Sequence, residues 1–205
     1  MRPGLLTRLR MRFLLEPLGY GRPAAAEVFD HEYSSGGWAH FHTLPELARQ
    51  AVLVALASEL RPNPRVLDLG CGSGKFAQLW QRFTPKRYVG VDLSPEGLRQ
   101  AQALGVAGGE FLCEDFETWR PQEQFDVVIF AESLGYARDP GATVRDFLTC
   151  LAPGGIVAIS YYRDGHWAAL WRRILQHAEV VEATAVTNSA AQTWDIKILR
   201  PRTSG

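Results

Sequence analysis

Between residues 65 and 162 the chain alternates short unbroken apolar runs with stretches whose apolar positions recur every three or four residues. The runs Val66–Leu69, Tyr88–Val91, Glu110–Cys113, Phe125–Phe130 and Ile156–Tyr161 predict strands, and helical spacing follows at 75–82, 95–104, 142–151 and 166–177. Asp126-Val-Val-Ile-Phe130 lacks the apolar–polar alternation of a half-exposed strand, as expected of a parallel sheet with helices on both faces. Upstream, Thr43-Leu-Pro-Glu46 has capping-box form and leads into Leu47, Ala51, Val54, Leu56 and Leu60. That predicts a helix over about 44–60, ended by Arg61-Pro-Asn-Pro64. Downstream, Glu179–Thr187 and Thr193–Leu199 read as strands with only Asn188-Ser-Ala-Ala191 region between them. A turn that short joins antiparallel strands. The pattern therefore predicts an α/β, Rossmann-like, doubly wound fold. Its seven-stranded sheet is mostly parallel, ends in an antiparallel hairpin and carries helices on both faces.

Residues 1–22 break this rhythm. Arg2, Arg8, Arg10, Arg12 and Arg22 stand against Glu16 alone, and Leu5, Leu6, Leu9, Phe13 and Leu14 fall at helical spacing. The favoured reading is an amphipathic helix capping the domain; weak contact with a membrane surface or RNA is the other. We place a helical and cover segment at 1–42 and the main domain at 43–205, consistent with a length suited to one domain plus an appendage. Whole-chain charge is zero, with 22 basic and 22 acidic residues, which opposes wholesale binding to nucleic acid or anionic membrane. No apolar run is long enough to span a bilayer, and the arginines interrupt any secretory apolar core. Cys71, Cys113 and Cys150 are odd in number and widely spaced, so neither a disulfide framework nor a thiolate metal site is expected. The cytoplasm is the expected compartment.

The chemistry concentrates after the first strand, in Val66-Leu-Asp-Leu-Gly-Cys-Gly-Ser-Gly74. Glycines 70, 72 and 74 allow a sharp turn and close approach of a ligand, and a helix N-terminus follows. Asp92 ends the next strand, 22 residues after Gly70, where such folds place an acid that accepts from both ribose hydroxyls. This combination signals an adenosine-containing cofactor. The spacing is Gly-x-Gly-x-Gly rather than the Gly-x-Gly-x-x-Gly of dinucleotide sites, and Asp68 lies in the path of a pyrophosphate. A carboxylate there suits a cationic cofactor such as S-adenosylmethionine, because like charges in a low-dielectric cleft repel.

With these features, residues 64–162 resemble the class I S-adenosylmethionine-dependent methyltransferases. Tyr88-Val-Gly-Val-Asp-Leu-Ser94, Glu114-Asp115-Phe116, Phe125-Asp-Val-Val-Ile-Phe130 and Leu151-Ala-Pro-Gly-Gly-Ile-Val-Ala-Ile-Ser160 look like that family's later motifs. The resemblance implies that Asp68, Gly70, Cys71, Gly72 and Gly74 form the methionine-side turn. It implies that Asp92 holds the ribose, Leu93 covers the adenine, Asp115 accepts from the adenine amino group and Phe116 lies against the ring. Phe130 or Ala131 would offer a carbonyl to the methionine ammonium. Phe29–Phe41, with Tyr33, Gly37 and Trp38, resembles the segment that folds over the cofactor in many small-molecule methyltransferases.

The expected activity is transfer of a methyl group to an oxygen or nitrogen of a small molecule, leaving S-adenosylhomocysteine. An acceptor that must lose a proton needs a base, and the candidates are His166, His42 and Glu132. No metal is expected. RNA or protein methylation is the alternative, weakened because Phe130-Ala-Glu-Ser133 stands where base-directed enzymes carry Asn/Asp-Pro-Pro-Tyr/Phe. A non-catalytic binding module is a third reading, opposed by the intact glycine loop with its two acids.

Overall fold

The computed structural model describes residues 11–202. Its strands are β1 Arg65–Leu69, β2 Arg87–Asp92, β3 Gly109–Cys113, β4 Phe125–Ala131, β5 Leu151–Tyr162, β6 Ala178–Thr187 and β7 Thr193–Pro201. They form one sheet in the order β3-β2-β1-β4-β5-β7-β6. Strands β1 to β5 pair in parallel, while β7 runs antiparallel to both β5 and β6. The order reverses between β1 and β4, and the carboxyl ends of strands at such a reversal open a crevice for ligands.

Among the described residues, six α-helices surround the sheet: α1 Ala26–Ser35, α2 Leu44–Leu60, α3 Lys75–Trp80, α4 Pro95–Ala103, α5 Pro140–Leu148 and α6 Trp167–Ile174. Neighbouring strand residues feed opposite faces. Val66 and Val127 join Leu53, Val54 and Ala57 of α2 and Trp80 of α3 in one core layer. Leu67 and Val128 join Val144 and Phe147 of α5 and Leu170 and Ile174 of α6 in the other. With both faces covered, the strands need no polar alternation.

Four details depart from the sequence expectations. Thr43 stands at the N-cap of α2, but its side chain makes no capping bond: its Oγ1 donates to the His40 carbonyl at 2.6 Å, closing the 3-10 turn Ala39–His42. Helix α5 starts earlier, at Pro140, because Asp139 accepts from the Ala142 N–H at 3.1 Å and caps it. Strand β5 begins at Leu151, paired with Phe125, ahead of the apolar run Ile156–Tyr161 that predicts it, and so takes in Pro153-Gly-Gly155. Met11–Leu15 forms a π turn and Glu16–Leu18 a 3-10 turn, with Phe13 and Leu14 exposed. The proposed amphipathic helix is thus not continued here, and its Leu5, Leu6 and Leu9 lie outside the described residues. Among the described residues, no helix is long and apolar enough to cross a membrane.

Candidate functional site

A cavity of 290 Å³ opens over the carboxyl ends of β1, β2 and β4. Its floor is the loop from Gly70 to Ser73; Asp92, Leu93, Asp115 and Phe116 flank one side, and Ala131, Glu132 and Ser133 the other. Phe29 and Tyr33 of α1, with Trp38 and Phe41, complete the lining. The cavity lies where the strand order predicts it, and residues from five separate loops converge there.

The three motif glycines all have positive φ, at 77° for Gly70, 52° for Gly72 and 79° for Gly74. What each missing Cβ makes room for differs. At Gly70 it would meet Ser133 Cβ at 2.4 Å, and at Gly74 it would meet Ala101 Cβ at 2.8 Å. Those two glycines permit packing of protein against protein. At Gly72 it would stand 2.1 Å from the Tyr33 hydroxyl, so this glycine alone of the three faces the cover. Gly74 does not line the cavity.

Asp92 ties the loop to β2. Its Oδ2 accepts from the Gly72 N–H at 2.8 Å, and its Oδ1 from the Ser94 N–H at 2.9 Å. Burial pushes its carboxyl up, against the opposing pull of these backbone donors. Each oxygen keeps a further lone pair for a ligand. Asp68 sits below the loop rather than on the cavity wall. It is 1% exposed, Oδ2 accepts a hydrogen bond from the Tyr88 hydroxyl, and Oδ1 has no partner. Burial pushes its carboxyl up to about 7, with the Tyr88 hydrogen bond opposing and the Asp92 charge adding.

The remaining cofactor candidates divide. Cys71 lines the cavity with its thiol buried and its pKa pushed up, first by burial and then by Asp92. Asp115 lines it too, with Oδ1 accepting from the Glu117 N–H at 2.8 Å. Phe130 points away: its ring packs between Phe116 and Phe147 in the core, and Ala131 is the cavity residue at that strand end. Tyr33 packs edge-on to Trp38 with centroids 4.7 Å apart. Burial, followed by the Asp92 charge, raises its phenol well above the usual range.

Of the three candidate bases, Glu132 and His166 share a second cavity, Glu132 also lines the first, and His42 stands apart beside the glycine loop. His166 lines this second cavity, of 180 Å³, with Nε2 3.7 Å from Glu16. The β5–α6 loop carries it away from the glycine loop. His42 sits beside the loop at the rim, sharing a 2.7 Å hydrogen bond with Ser73 Oγ. Burial, then the charge of Lys75, lowers its pKa. Glu132 lines both cavities and adopts φ 66°, a strained conformation for a side-chain-bearing residue. Its carboxylate accepts from Ser160 Oγ at 2.9 Å and from the Tyr162 N–H at 3.0 Å, fastening the end of β4 to β5. Burial raises its pKa, and the nearby Arg49 opposes the rise.

Sequence reasoning passed over Arg49 and Gln50. Both are buried on α2 and both line the cavity. Arg49 Nε donates to Glu46 Oε2 at 2.7 Å, Nη1 donates to Ser160 Oγ at 3.2 Å, and Glu132 Oε1 lies 3.9 Å from Nη1. The one available signal is the Glu46–Arg49 spacing, which reads as an ordinary surface pair. Among the described residues, no three His, Cys, Asp or Glu side chains gather as metal ligands.

The family model described as "Methyltransferase domain" matches residues 40–192. Trans-aconitate 2-methyltransferase of Streptomyces avermitilis is 35% identical over 178 residues, covering 73% of this chain and 66% of that protein. The enzyme of that name from Acidovorax ebreus is 31% identical over 131 residues, covering 63% of this chain and 49% of its own. The chain thus spans about half to two thirds of the length of these curated relatives. Among solved structures, the N-methyltransferase NodS of Bradyrhizobium japonicum in complex with S-adenosyl-L-homocysteine superposes with a TM-score of 0.74 at 20% identity, over 87% of this chain and 98% of that one. Magnesium protoporphyrin IX methyltransferase of Synechocystis gives 0.66 at 15% identity, over 85% and 95%. Identities this low establish a shared fold.

Proposed function

We propose, from the premise that this chain belongs to the methyltransferase-domain family, that it transfers a methyl group from S-adenosylmethionine to an oxygen or nitrogen of a small molecule. The observation that carries the reading is the Gly72–Asp92 hydrogen bond, which makes the glycine loop and the β2 acid one cofactor-sized cradle. The donor set also fits the group. Asp92 keeps lone pairs for two hydroxyls, and Asp68, a buried carboxyl that ionises at about 7 and has Oδ1 unpartnered, can place negative charge beneath the loop. A dinucleotide pyrophosphate would meet that charge unfavourably; a sulfonium and an ammonium would be attracted.

Residue by residue, Asp92 would accept from the ribose hydroxyls, and Leu93 and Phe116 would flank the adenine. Asp115 would accept from the adenine amino group through its free oxygen. The Ala131 carbonyl, with Gly70 and Gly72, would receive the methionine moiety, and Asp68 would act from below by its charge. S-adenosylmethionine supplies an electrophilic methyl group with a neutral leaving group, so the protein's work is to position the acceptor and exclude water. The aromatic wall of Tyr33, Trp38 and Phe41 does the second. A cavity of 290 Å³ closed by such a wall suits a small acceptor better than a polymer. We assign residues 1–42 as the cover and 43–205 as the catalytic domain. Three cysteines without disulfide partners support a cytoplasmic setting.

Calorimetric titration tests this reading. S-adenosylmethionine and S-adenosylhomocysteine are expected to bind at least about tenfold more tightly than NAD, a gap of about 1.4 kcal/mol. Equal or tighter NAD binding would overturn it.

A further inference from the structure

We propose, resting on the function just argued, that the acceptor is a cationic amine methylated at nitrogen, seated where Glu132 and Gln50 meet the aromatic wall. Charge is the first support. Arg49 is the buried cation at this end of the cavity, and it is already committed between Glu46 at 2.7 Å and Glu132 at 3.9 Å. One guanidinium between two carboxylates leaves the local balance negative. Of the other cations on the wall, Arg138 is paired with Glu117 at 3.5 Å, and Lys75 lies on the glycine-loop side. A carboxylate acceptor would enter a field of its own sign, whereas an ammonium would be drawn in.

Gln50 is the second support. It is 1% exposed, and its Nε2 donates to the Phe41 carbonyl at 3.0 Å. That contact fixes which end of the amide is nitrogen. The remaining Oε1 has no hydrogen bond, in a residue that lines the cavity. A buried acceptor without a partner is costly, and an ammonium N–H at this wall would satisfy it once the amide turns toward the cavity.

The wall itself is the third. Trp38 gathers Phe29 at 5.8 Å, Phe41 at 6.2 Å and Tyr136 at 6.2 Å between ring centroids. Aromatic faces beside an acid attract cations. In the reaction the ammonium gives one proton to the Glu132 carboxylate. The freed nitrogen lone pair then forms the N–C bond as the methyl–sulfur bond of the sulfonium breaks, and that bond's electron pair stays on sulfur as a neutral thioether. The upward shift of Glu132 by burial suits it to hold that proton.

The test incubates the full chain with S-adenosylmethionine and a panel of primary alkyl- and arylalkylamines, cationic at neutral pH, against trans-aconitate and benzoate, and reads methylated product by mass spectrometry. Binding of S-adenosylhomocysteine is measured on the same preparation. The expected result is amine turnover with kcat/KM at least about tenfold above either carboxylate. Glu132→Gln and Gln50→Leu should each raise the amine KM about tenfold while S-adenosylhomocysteine affinity holds. Should Glu132→Gln fail to fold, Gln50→Leu carries the test: it removes the unpartnered Oε1, and unchanged S-adenosylhomocysteine affinity shows that losing the Nε2 donor to Phe41 has not displaced the wall. Preferential methylation of a carboxylate, an unchanged amine KM in Gln50→Leu, or no amine turnover by protein that binds S-adenosylhomocysteine would overturn the amine proposal alone. Failure to bind S-adenosylhomocysteine would overturn the methyltransferase reading, and this proposal with it.

Discussion

Gly72 donates its backbone N–H to Asp92 Oδ2 at 2.8 Å, so the loop after β1 and the acid that ends β2 form one rigid unit. On the proposed reading Asp92 has two jobs, shaping the loop and receiving the ribose, and substitutions separate them. Asp92→Ala deletes the carboxylate oxygens that accept from the Gly72 and Ser94 N–H groups and, with them, the proposed ribose acceptor. Asp92→Asn keeps one carbonyl oxygen and removes the charge. Hydrogen bonds to a charged group are worth about 1.5–3 kcal/mol each, so either variant should bind S-adenosylmethionine at least about tenfold more weakly. Thermal unfolding should fall further in Asp92→Ala than in Asp92→Asn. Calorimetry giving wild-type affinity for both would remove Asp92 from the ribose site.

Asp68 sets a pH dependence. Its folded carboxyl titrates near 7, whereas an unfolded one titrates near 3.9. Between those values the folded state holds a proton that the unfolded state has released, so this group's contribution is present at low pH and lost as pH rises through about 7. Asp68→Asn should flatten that decline in urea midpoints measured across the window. A cationic ligand favours the ionised acid, so cofactor binding near neutral pH should release protons. Calorimetry in two buffers of different ionisation enthalpy detects the release; identical heats would contradict it.

Gly72 and Tyr33 should be energetically coupled. A Cβ at residue 72 meets the Tyr33 hydroxyl at 2.1 Å, and φ 52° is unfavourable for alanine. Gly72→Ala is expected to cost about 1–2 kcal/mol in backbone strain alone. Tyr33→Ala in the same chain should recover the part due to the clash but not the strain. A double-mutant cycle by chemical denaturation reads this directly, and a coupling energy of zero would mean the two do not touch.

The parallel sheet was legible because burial on both faces leaves an unmistakable signature in runs such as Phe125–Phe130. The glycine loop was legible because positive φ restricts residue choice. Both are local constraints. The acceptor side was not, because it is made of residues whose roles depend on distant partners. Arg49 sits on a helix in a pattern that reads as solvated, yet the fold brings Ser160 and Glu132 to it from two strand ends. The φ of Glu132 is likewise held by β5, through Ser160 and the Tyr162 N–H. His166 follows Ser160 by only six residues, but the turn after β5 delivers it to Glu16. Likewise Thr43 matched a capping box, while the 3-10 turn before it offered a nearer carbonyl.

The Arg49 network also makes a stability prediction. Removing one partner of a buried ion pair leaves an uncompensated charge and costs about 3–5 kcal/mol. Arg49→Met strands both Glu46 and Glu132, so its unfolding free energy should drop by that much. Glu46→Gln, which leaves Arg49 facing Glu132, should lose less. Urea denaturation followed by circular dichroism compares them, and a loss below about 1 kcal/mol in Arg49→Met, the size of an exposed pair, would show that the network is solvated.

The cover makes the last prediction. Helix α1 is held to the body at its Asp30, whose Oδ1 accepts from the Ser94 hydroxyl and from the Glu96 N–H at 3.1 Å. Gln100 Nε2 adds a 3.3 Å contact to the Tyr33 carbonyl. All three partners lie at or in α4, directly after the acid Asp92, so α1 is fastened beside the adenosine side of the cavity. Gly36 ends the helix at φ 76°, and Gly37 follows, which gives the chain a pivot before Trp38. Opening the cavity then means breaking the Asp30 contacts and swinging Tyr33 and Trp38 outward about these glycines. Asp30→Ala should loosen the cover without unfolding the sheet, because no core strand depends on it. Proteolysis at 34–38 should be faster in this variant than in the parent chain. S-adenosylhomocysteine, by drawing Tyr33 onto the cavity, should slow cleavage in the parent chain. Dissociation of that ligand should be faster from Asp30→Ala, with its association rate little changed. Equal cleavage with and without ligand, together with an unaltered dissociation rate in Asp30→Ala, would make α1 a fixed wall rather than a moving one.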